Sequence, residues 1–237
     1  MQTAAIPSVR AVCWSCGNPL QGAASFCAGC GKVQPASVVH DYFAVFGLPR
    51  KLAIDPSALE RSFYKLSRML HPDLYARASA DEQRWSLDQT SLLNDAYRTL
   101  KNPVARTEYL LKLEGKPVAG EEQIQHSHKP KDSRAPADML EEVFELNMQL
   151  EEMRMNRKLG EDNPSLRGDL ESARTQFQGQ LAALDEELKS HWQQWDAAVD
   201  AGITQDAEPL KDKMFALLDR RRYIRNLVRD VNDALGL

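Results

Sequence analysis

The sequence Met69-Leu70-His71-Pro72-Asp73 joins two segments in which apolar residues recur with the period of an α-helix. In the preceding segment, apolar side chains come at spacings of four, three and four residues, and basic side chains repeat about 200° away around the helix. Because proline lacks an amide donor and restricts the residue before it, this helix should end here and leave an exposed turn. The apolar stripe consists of Leu59, Phe63, Leu66 and Leu70, and the basic stripe of Arg61, Lys65 and Arg68.

Capping signals predict a helix on each side of this turn. Asp55 followed by Pro56 opens the leading helix, and Ser79 with Glu82 has the form of a capping box that starts the second helix near residue 80. Asn102-Pro103 repeats the first signal and predicts a further helix that ends at Gly115. We expect two antiparallel helices, the second packing on the first through Trp85, Leu92, Leu93, Ala96 and Leu100.

The order of these features resembles that of a J domain. An aromatic start at residues 40–43, a basic-faced helix, His-Pro-Asp and a second helix before Asn102-Pro103 follow one another. In that family, the tripeptide and the basic helix face dock on a heat-shock 70 kDa chaperone and stimulate its ATP hydrolysis. The resemblance implies chaperone binding by His71, Pro72, Asp73, Arg61, Lys65 and Arg68.

Other roles for His71 are a capping residue, a metal ligand or an acid-base catalyst. No cluster of carboxylates or histidines surrounds it in the sequence. We therefore give catalysis little weight.

Three further segments, residues 41–49, 92–103 and 106–111, look like the HscB branch of the J proteins, the co-chaperones of iron–sulphur cluster assembly. The resemblance runs from about residue 40 to the end of the chain and is weaker after residue 115. It implies an adaptor without enzymatic activity. Its C-terminal bundle would bind an IscU-type scaffold protein, and its J domain would deliver that cargo to a chaperone of the HscA or DnaK type.

Composition limits the class of protein. The 237 residues carry a formal net charge of -4, which argues against a sequence-independent nucleic-acid binder. No apolar run approaches the roughly 20 residues of a membrane span. Residues 1–7 contain neither an apolar signal core nor an arginine-rich presequence. We expect a cytoplasmic protein with neither nucleic acid nor membrane as a partner. A mature organellar form whose leader has been removed is the alternative.

All four cysteines lie in two C-x-x-C pairs near the start of the chain, and a glycine follows each pair. This pattern is typical of a tetrahedral structural zinc site, and so small a segment would depend on one bound ion for most of its folding free energy. Iron in the same geometry, disulfides and a redox dithiol are the alternatives, of which the last two are disfavoured in a leaderless chain without a βαβ unit. The predicted ligands are Cys13, Cys16, Cys27 and Cys30.

Three long helical patterns follow a polar, aperiodic segment at residues 116–136 that we interpret as a flexible linker. The first pattern has two apolar stripes about 100° apart. One, with Met139, Val143, Leu146, Leu150 and Met153, suits bundle packing. The other contains Leu140, Phe144 and Met148. It is either part of a wide buried face or an exposed face that binds a partner.

The HscB resemblance favours a partner-binding face, since that family holds its scaffold protein on this helix. Aligning the family motif implies scaffold contact by Leu140, Phe144, Glu145 and Glu152, and Tyr223 is added by its place in the pattern. Met148 stands where the motif usually has an acidic residue. For Tyr223 a position at the edge of the core is nearly as good an interpretation.

We predict an all-α protein: a zinc ribbon at residues 1–39, a J domain at 40–115, the linker at 116–136 and an antiparallel three-helix bundle at 137–237. A J protein for a different client and a zinc-dependent nucleic-acid-binding protein remain open, with a thiol oxidoreductase as a distant third.

Overall fold

The computed structural model describes residues 12–20, 24–36, 41–116, 136–204 and 207–237. The chain divides into two compact units, Met1–Leu113 and Glu114–Leu237. Regular secondary structure in the described residues is helical, apart from two isolated antiparallel bridges, Val12 with Pro19 and Phe26 with Val33. The predicted all-α class with a cysteine ribbon is confirmed. Residues 117–135 of the predicted linker lie outside the described residues.

The first unit contains the cysteine ribbon, which we define as residues 12–20 and 24–36, and a set of helices whose starts follow the predicted caps. The Asp55 side chain accepts a hydrogen bond from the amide of Ser57, and Ser79 and Glu82 form the predicted capping box. Asn102 accepts bonds from two amides of the helix that follows it. The helices are α1 (Tyr42–Val45), α2 (Pro56–Leu70), a 3₁₀ helix (Pro72–Tyr75), α3 (Ala80–Lys101) and α4 (Pro103–Leu113).

Helices α2 and α3 pack as the predicted hairpin. Leu70 and Ala96 are fully buried between them, and the Phe63 ring stacks on Tyr97 with centroids 4.1 Å apart. This core also contains Val33 of the ribbon, which is 1% exposed. The ribbon therefore shares the hydrophobic core of the helical hairpin.

The second unit is a bundle of three helices. A 3₁₀ turn (Ala137–Met139) leads into α5 (Leu140–Leu159), followed by α6 (Pro164–Ala201) and α7 (Glu208–Leu235). Gly160 and Gly202, at φ of 71° and 70°, end α5 and α6 in the left-handed conformation that glycine adopts without a steric penalty. None of the described helices is long and apolar enough to cross a lipid bilayer.

The bundle core follows the predicted seam on α5, and the buried stripe on α7 changes its position around the helix. Leu218 and Leu227 are buried there, whereas Leu217 and Val228 are only partly buried. A straight helix drifts by about 20° per heptad relative to a strict seven-residue repeat, so the buried stripe moves around a helix of this length. The central buried side chains are Leu146, Leu150, Leu170, Phe177, Leu184, Ile224 and Val231.

Candidate functional sites

The His-Pro-Asp turn lies where α2 ends and the 3₁₀ helix begins. His71 Nδ1 accepts a hydrogen bond of 3.3 Å from the Asp73 amide, which requires this nitrogen to be unprotonated. The Asp73 carboxylate lies 3.5 Å from the same nitrogen, and the two side chains are 55% and 89% exposed. The turn thus presents an imidazole and a carboxylate to solvent.

Three side chains that the sequence analysis did not single out fasten the end of α2 before this turn. The hydroxyls of Ser86 and Thr90 on α3 donate to the carbonyl oxygen of Leu70, at 2.6 and 3.2 Å. The Tyr75 hydroxyl donates to the carbonyl oxygen of Met69 at 3.2 Å. Two hydroxyl residues four positions apart, next to the apolar face of α3, were the available signal for this contact.

The basic stripe lies on the solvent side of α2. Arg61, Lys65 and Arg68 are all exposed, whereas Leu59 and Leu70 of the apolar stripe are buried. None of the three cations forms an ion pair with another residue in the described part of the chain. The predicted docking residues therefore form an exposed, cationic helix face that leads to an exposed turn.

The four cysteines converge on one point in the ribbon. Their Sγ atoms all lie within 4.8 Å of one another, with 3.6 Å between Cys13 and Cys30 and 3.6 Å between Cys16 and Cys27. All four are free thiols, and these separations far exceed the roughly 2.05 Å of a disulfide. A tetrahedral ion with metal–sulphur bonds of about 2.3 Å holds sulphurs about 3.8 Å apart. The cluster is therefore positioned to bind one metal ion.

The two C-x-x-C pairs adopt the same backbone turn. The amides of Gly17 and Gly31 donate to the carbonyl oxygens of Cys13 and Cys27, at 2.9 and 2.8 Å. Both glycines have φ of 72°, a left-handed conformation that disfavours other residues. This repeat explains why a glycine follows each pair.

The thiols of the cluster differ in acidity. Burial raises the pKa of Cys13, but amides of Cys16 and Ser15 and the neighbouring sulphurs outweigh it and lower that pKa to about 6. The Asn18 amide lowers the pKa of Cys16, but burial and the other three sulphurs raise it to about 12. The close approach of the sulphurs thus opposes the ionisation of all four thiols together. A divalent cation would supply the charge that lets all four deprotonate.

The second apolar stripe of α5 is exposed. Leu140, Phe144 and Met148 are 56%, 67% and 62% exposed, whereas Val143 and Leu146 on the other side of the helix are buried. The interpretation as a wide buried face is therefore not the one the structure supports. Two further exposed apolar residues, which the sequence analysis did not single out, continue the stripe along the helix: Met155 and Leu159.

The polar members of the predicted scaffold site have different surroundings. Glu145 is exposed beside a groove of about 340 Å³ between α5 and α6, and Glu152 is exposed and accepts a hydrogen bond from Asn163 at 3.4 Å. Tyr223 is partly buried against the bundle core. The surroundings of Tyr223 are those of a residue at the edge of the core.

Comparisons with known proteins agree with this architecture. No family model matches the chain. It is 30% identical over 167 residues to the iron–sulphur cluster co-chaperone protein HscB of Mus musculus, an alignment that covers 69% of this chain and 68% of that protein. It is 38% identical over 112 residues to the HscB homologue of Arabidopsis thaliana, covering 47% of this chain and 44% of the relative, so that the match spans less than half of the plant protein.

Two solved structures share the fold. The human co-chaperone protein HscB superposes with a TM-score of 0.66 at 23% identity, covering 96% of this chain and all of that one. The chaperone HscB of Vibrio cholerae superposes with a TM-score of 0.56 at 25% identity, covering 81% of this chain and 96% of that one. Together with the similarity to the mouse protein, this shows that the chain belongs to the HscB family of iron–sulphur cluster co-chaperones.

Proposed function

We propose that this co-chaperone binds an IscU-type iron–sulphur scaffold protein on the exposed face of α5 and delivers it to a heat-shock 70 kDa chaperone of the HscA or DnaK type. The His-Pro-Asp turn and the basic face of α2 then stimulate ATP hydrolysis by that chaperone. The protein acts as an adaptor without an enzymatic activity of its own, because the ATP chemistry takes place in the partner.

The surface around the turn supports the chaperone half of this proposal. His71 and Asp73 are exposed at the end of a helix whose cations have no ion-pair partners among the described residues. An unpaired cationic face attracts an acidic partner surface and raises the rate of encounter. The exposed turn then offers a donor, an acceptor and a rigid proline at the edge of that face.

The observation that carries the scaffold half is the exposure of the second stripe of α5. Phe144 is 67% exposed at the centre of an apolar strip flanked by Glu145 and Glu152. Large apolar anchors inside a charged rim are typical of a protein-binding surface. Met148 is 62% exposed in the same strip, so it adds apolar area where the family motif has an acidic residue.

The metal of the ribbon is proposed to be one structural zinc ion held by Cys13, Cys16, Cys27 and Cys30. Four thiolates in a tetrahedral arrangement suit zinc or iron and leave no open position for a reactant. When bound, the ion would supply folding free energy to a segment with few apolar side chains of its own.

A steady-state ATPase assay tests the main proposal. We expect the purified protein to increase the rate of the chaperone in the presence of scaffold protein, and we expect His71→Gln to abolish that increase. Asp95→Asn, at an exposed position of α3 in the same unit, serves as the control and should stimulate like the wild type. Equal stimulation by His71→Gln and wild type would refute the assignment of the turn.

A further inference from the structure

Side chains of the ribbon pack directly against α3. Val33 lies in one hydrophobic cluster with Leu70 and Leu93, and the rings of Trp14 and Trp85 are 5.2 Å apart. The Trp14 Nε1 donates to the carbonyl oxygen of Val33 at 2.7 Å, which orients the ring against the helix. Side chains of the ribbon thus complete the core of the helical hairpin.

Gln89 is the polar centre of this contact. The side chain is 3% exposed, its Nε2 donates to the carbonyl oxygen of Gln34 at 3.1 Å, and its Oε1 accepts from the hydroxyl of Ser25 at 3.1 Å. Both partners belong to the ribbon. A buried amide that loses such partners is costly, so Gln89 ties the position of α3 to that of the ribbon.

The ribbon residues that hold Gln89 are themselves held by the cysteine turns. The Nε2 of Gln34 donates to Sγ of Cys13 at 3.4 Å and to the carbonyl oxygen of Lys32 at 2.8 Å. The Gln34 amide donates to the carbonyl oxygen of Ser25 at 2.9 Å. Regular structure in the described residues of the ribbon is limited to two isolated bridges, so the conformation of these residues depends on the metal that joins the two turns.

Helix α3 also contacts the residues next to the His-Pro-Asp turn. Ser86 and Thr90 hold the Leu70 carbonyl, as described above, and they lie within one helical turn of Gln89. A second link comes from Lys32 of the ribbon, whose Nζ lies 2.8 Å from the carboxylate of Glu82. Glu82 is 7% exposed and forms the cap of α3 at the end of the loop that carries the tripeptide.

From this arrangement we infer that metal occupancy of the ribbon controls the conformation of the His-Pro-Asp turn, with Gln89 as the positioning residue between the two sites. The metal-loaded ribbon fixes α3, and α3 fixes the last carbonyl of α2. Loss of the ion would free Gln34 and Val33 from α3 and loosen the turn. As far as it concerns chaperone stimulation, this inference rests on the proposed function.

Hydrogen–deuterium exchange of the full chain tests the coupling without the chaperone. We compare zinc-loaded wild type, Cys16→Ser, which loses a ligand at an exposed position, and Gln89→Ala, which keeps all four ligands. The peptide covering residues 66–76 should exchange about tenfold faster in both variants, whereas peptides of α5 should not change. Ser91→Ala, an exposed position of α3, is the matched control and should exchange like the wild type.

Bound zinc, measured by atomic absorption on the same samples, should stay at one ion per chain in Gln89→Ala. If the ribbon peptides exchange faster in Cys16→Ser while residues 66–76 match the wild type, the two sites are uncoupled and the inference is wrong. Unchanged exchange of that peptide in Gln89→Ala would also overturn it.

The ATPase assay then tests the functional half. Both variants should lose at least about half of the stimulation, and full stimulation by the metal-free protein would overturn the inference. Absence of stimulation by the wild type would refute the proposed function instead. The exchange experiment would still decide the coupling in that case, so the two failures are distinguishable.

Discussion

Phe144 and Leu146 are two residues apart on α5 and point to opposite sides of the helix: the phenyl ring is 67% exposed, whereas the leucine is 2% exposed. Two residues correspond to about 200° of rotation, so one face of the helix fills the bundle core while the other stays open. The face with Leu146 therefore stabilises the bundle, while the face with Phe144 is available for the proposed binding of the scaffold protein.

Alanine substitutions at these two positions should have opposite effects. Phe144→Ala should leave the free energy of unfolding within about 0.5 kcal/mol of the wild type and weaken scaffold binding by about 1 kcal/mol or more. Leu146→Ala should lower the free energy of unfolding by about 2–5 kcal/mol, because it opens a cavity in the core. Urea unfolding and calorimetric titration with the scaffold protein measure the two quantities.

Scaffold binding that survives Phe144→Ala unchanged would contradict the proposed face. If the wild type itself does not bind the scaffold, the protein has a different cargo. Met155→Ala extends the test along the helix, since Met155 is 62% exposed on the same strip.

Charge reversal on α2 should weaken chaperone docking mainly through the association rate. Lys65→Glu replaces an exposed cation in the middle of the stripe, and we expect about a tenfold slower association in low salt. The difference from the wild type should shrink as the salt concentration rises from about 0.05 to 0.3 M. Surface plasmon resonance provides the rates, and Arg98→Glu, which reverses an exposed charge on α3, is the control.

Metal analysis should find one zinc ion per chain after purification. Cobalt substitution should produce the intense visible absorption of a tetrahedral tetrathiolate site, and Cys30→Ser should remove it. A protein that holds iron instead, with the colour of a ferric tetrathiolate, would overturn the zinc assignment and leave the four ligands in place.

The bundle should lose stability in acid because of Glu208. Hydrogen bonds from Lys116, at 2.6 Å, and Lys211, at 2.7 Å, lower the pKa of this carboxyl from its ordinary 4.5 to about 2. A folded-state pKa below the unfolded value stabilises the protein above pH 4.5, and this contribution disappears as the pH falls from 4.5 to 2. Thermal unfolding by circular dichroism should show wild type above Glu208→Gln at pH 6.

Near pH 2 the two unfolding curves should converge. A constant difference across this range would mean that Glu208 acts through packing rather than charge.

The sequence was sufficient to predict those helix boundaries that depend on neighbouring residues only. Caps at Asp55, Ser79 and Asn102 define helix starts because a side chain bonds to an amide two or three residues away. The family and the all-α architecture also followed from ordered motifs, and the comparisons confirm both.

Contacts between residues far apart in the sequence could not be predicted from the sequence alone. Trp85 packs against the core of the helical hairpin, as expected, but nothing in the sequence indicated that its ring also lies against Trp14 of the ribbon, 71 positions earlier in the chain. Helical periodicity identifies an apolar face and not its partner. The spacing of Ser86 and Thr90 places both hydroxyls on one side of α3, but it does not identify the Leu70 carbonyl as their acceptor.

The shared core of ribbon and hairpin bears on how the protein can be shortened for experiments. A truncated version that begins at residue 41 would retain every helix that the structure describes yet remove Val33, and it would leave Trp85 and the amide of Gln89 facing water. Such a fragment would expose an apolar patch on α3, and we expect it to self-associate. Deletion designs should therefore keep the ribbon, or replace the exposed side chains of α3 with polar ones.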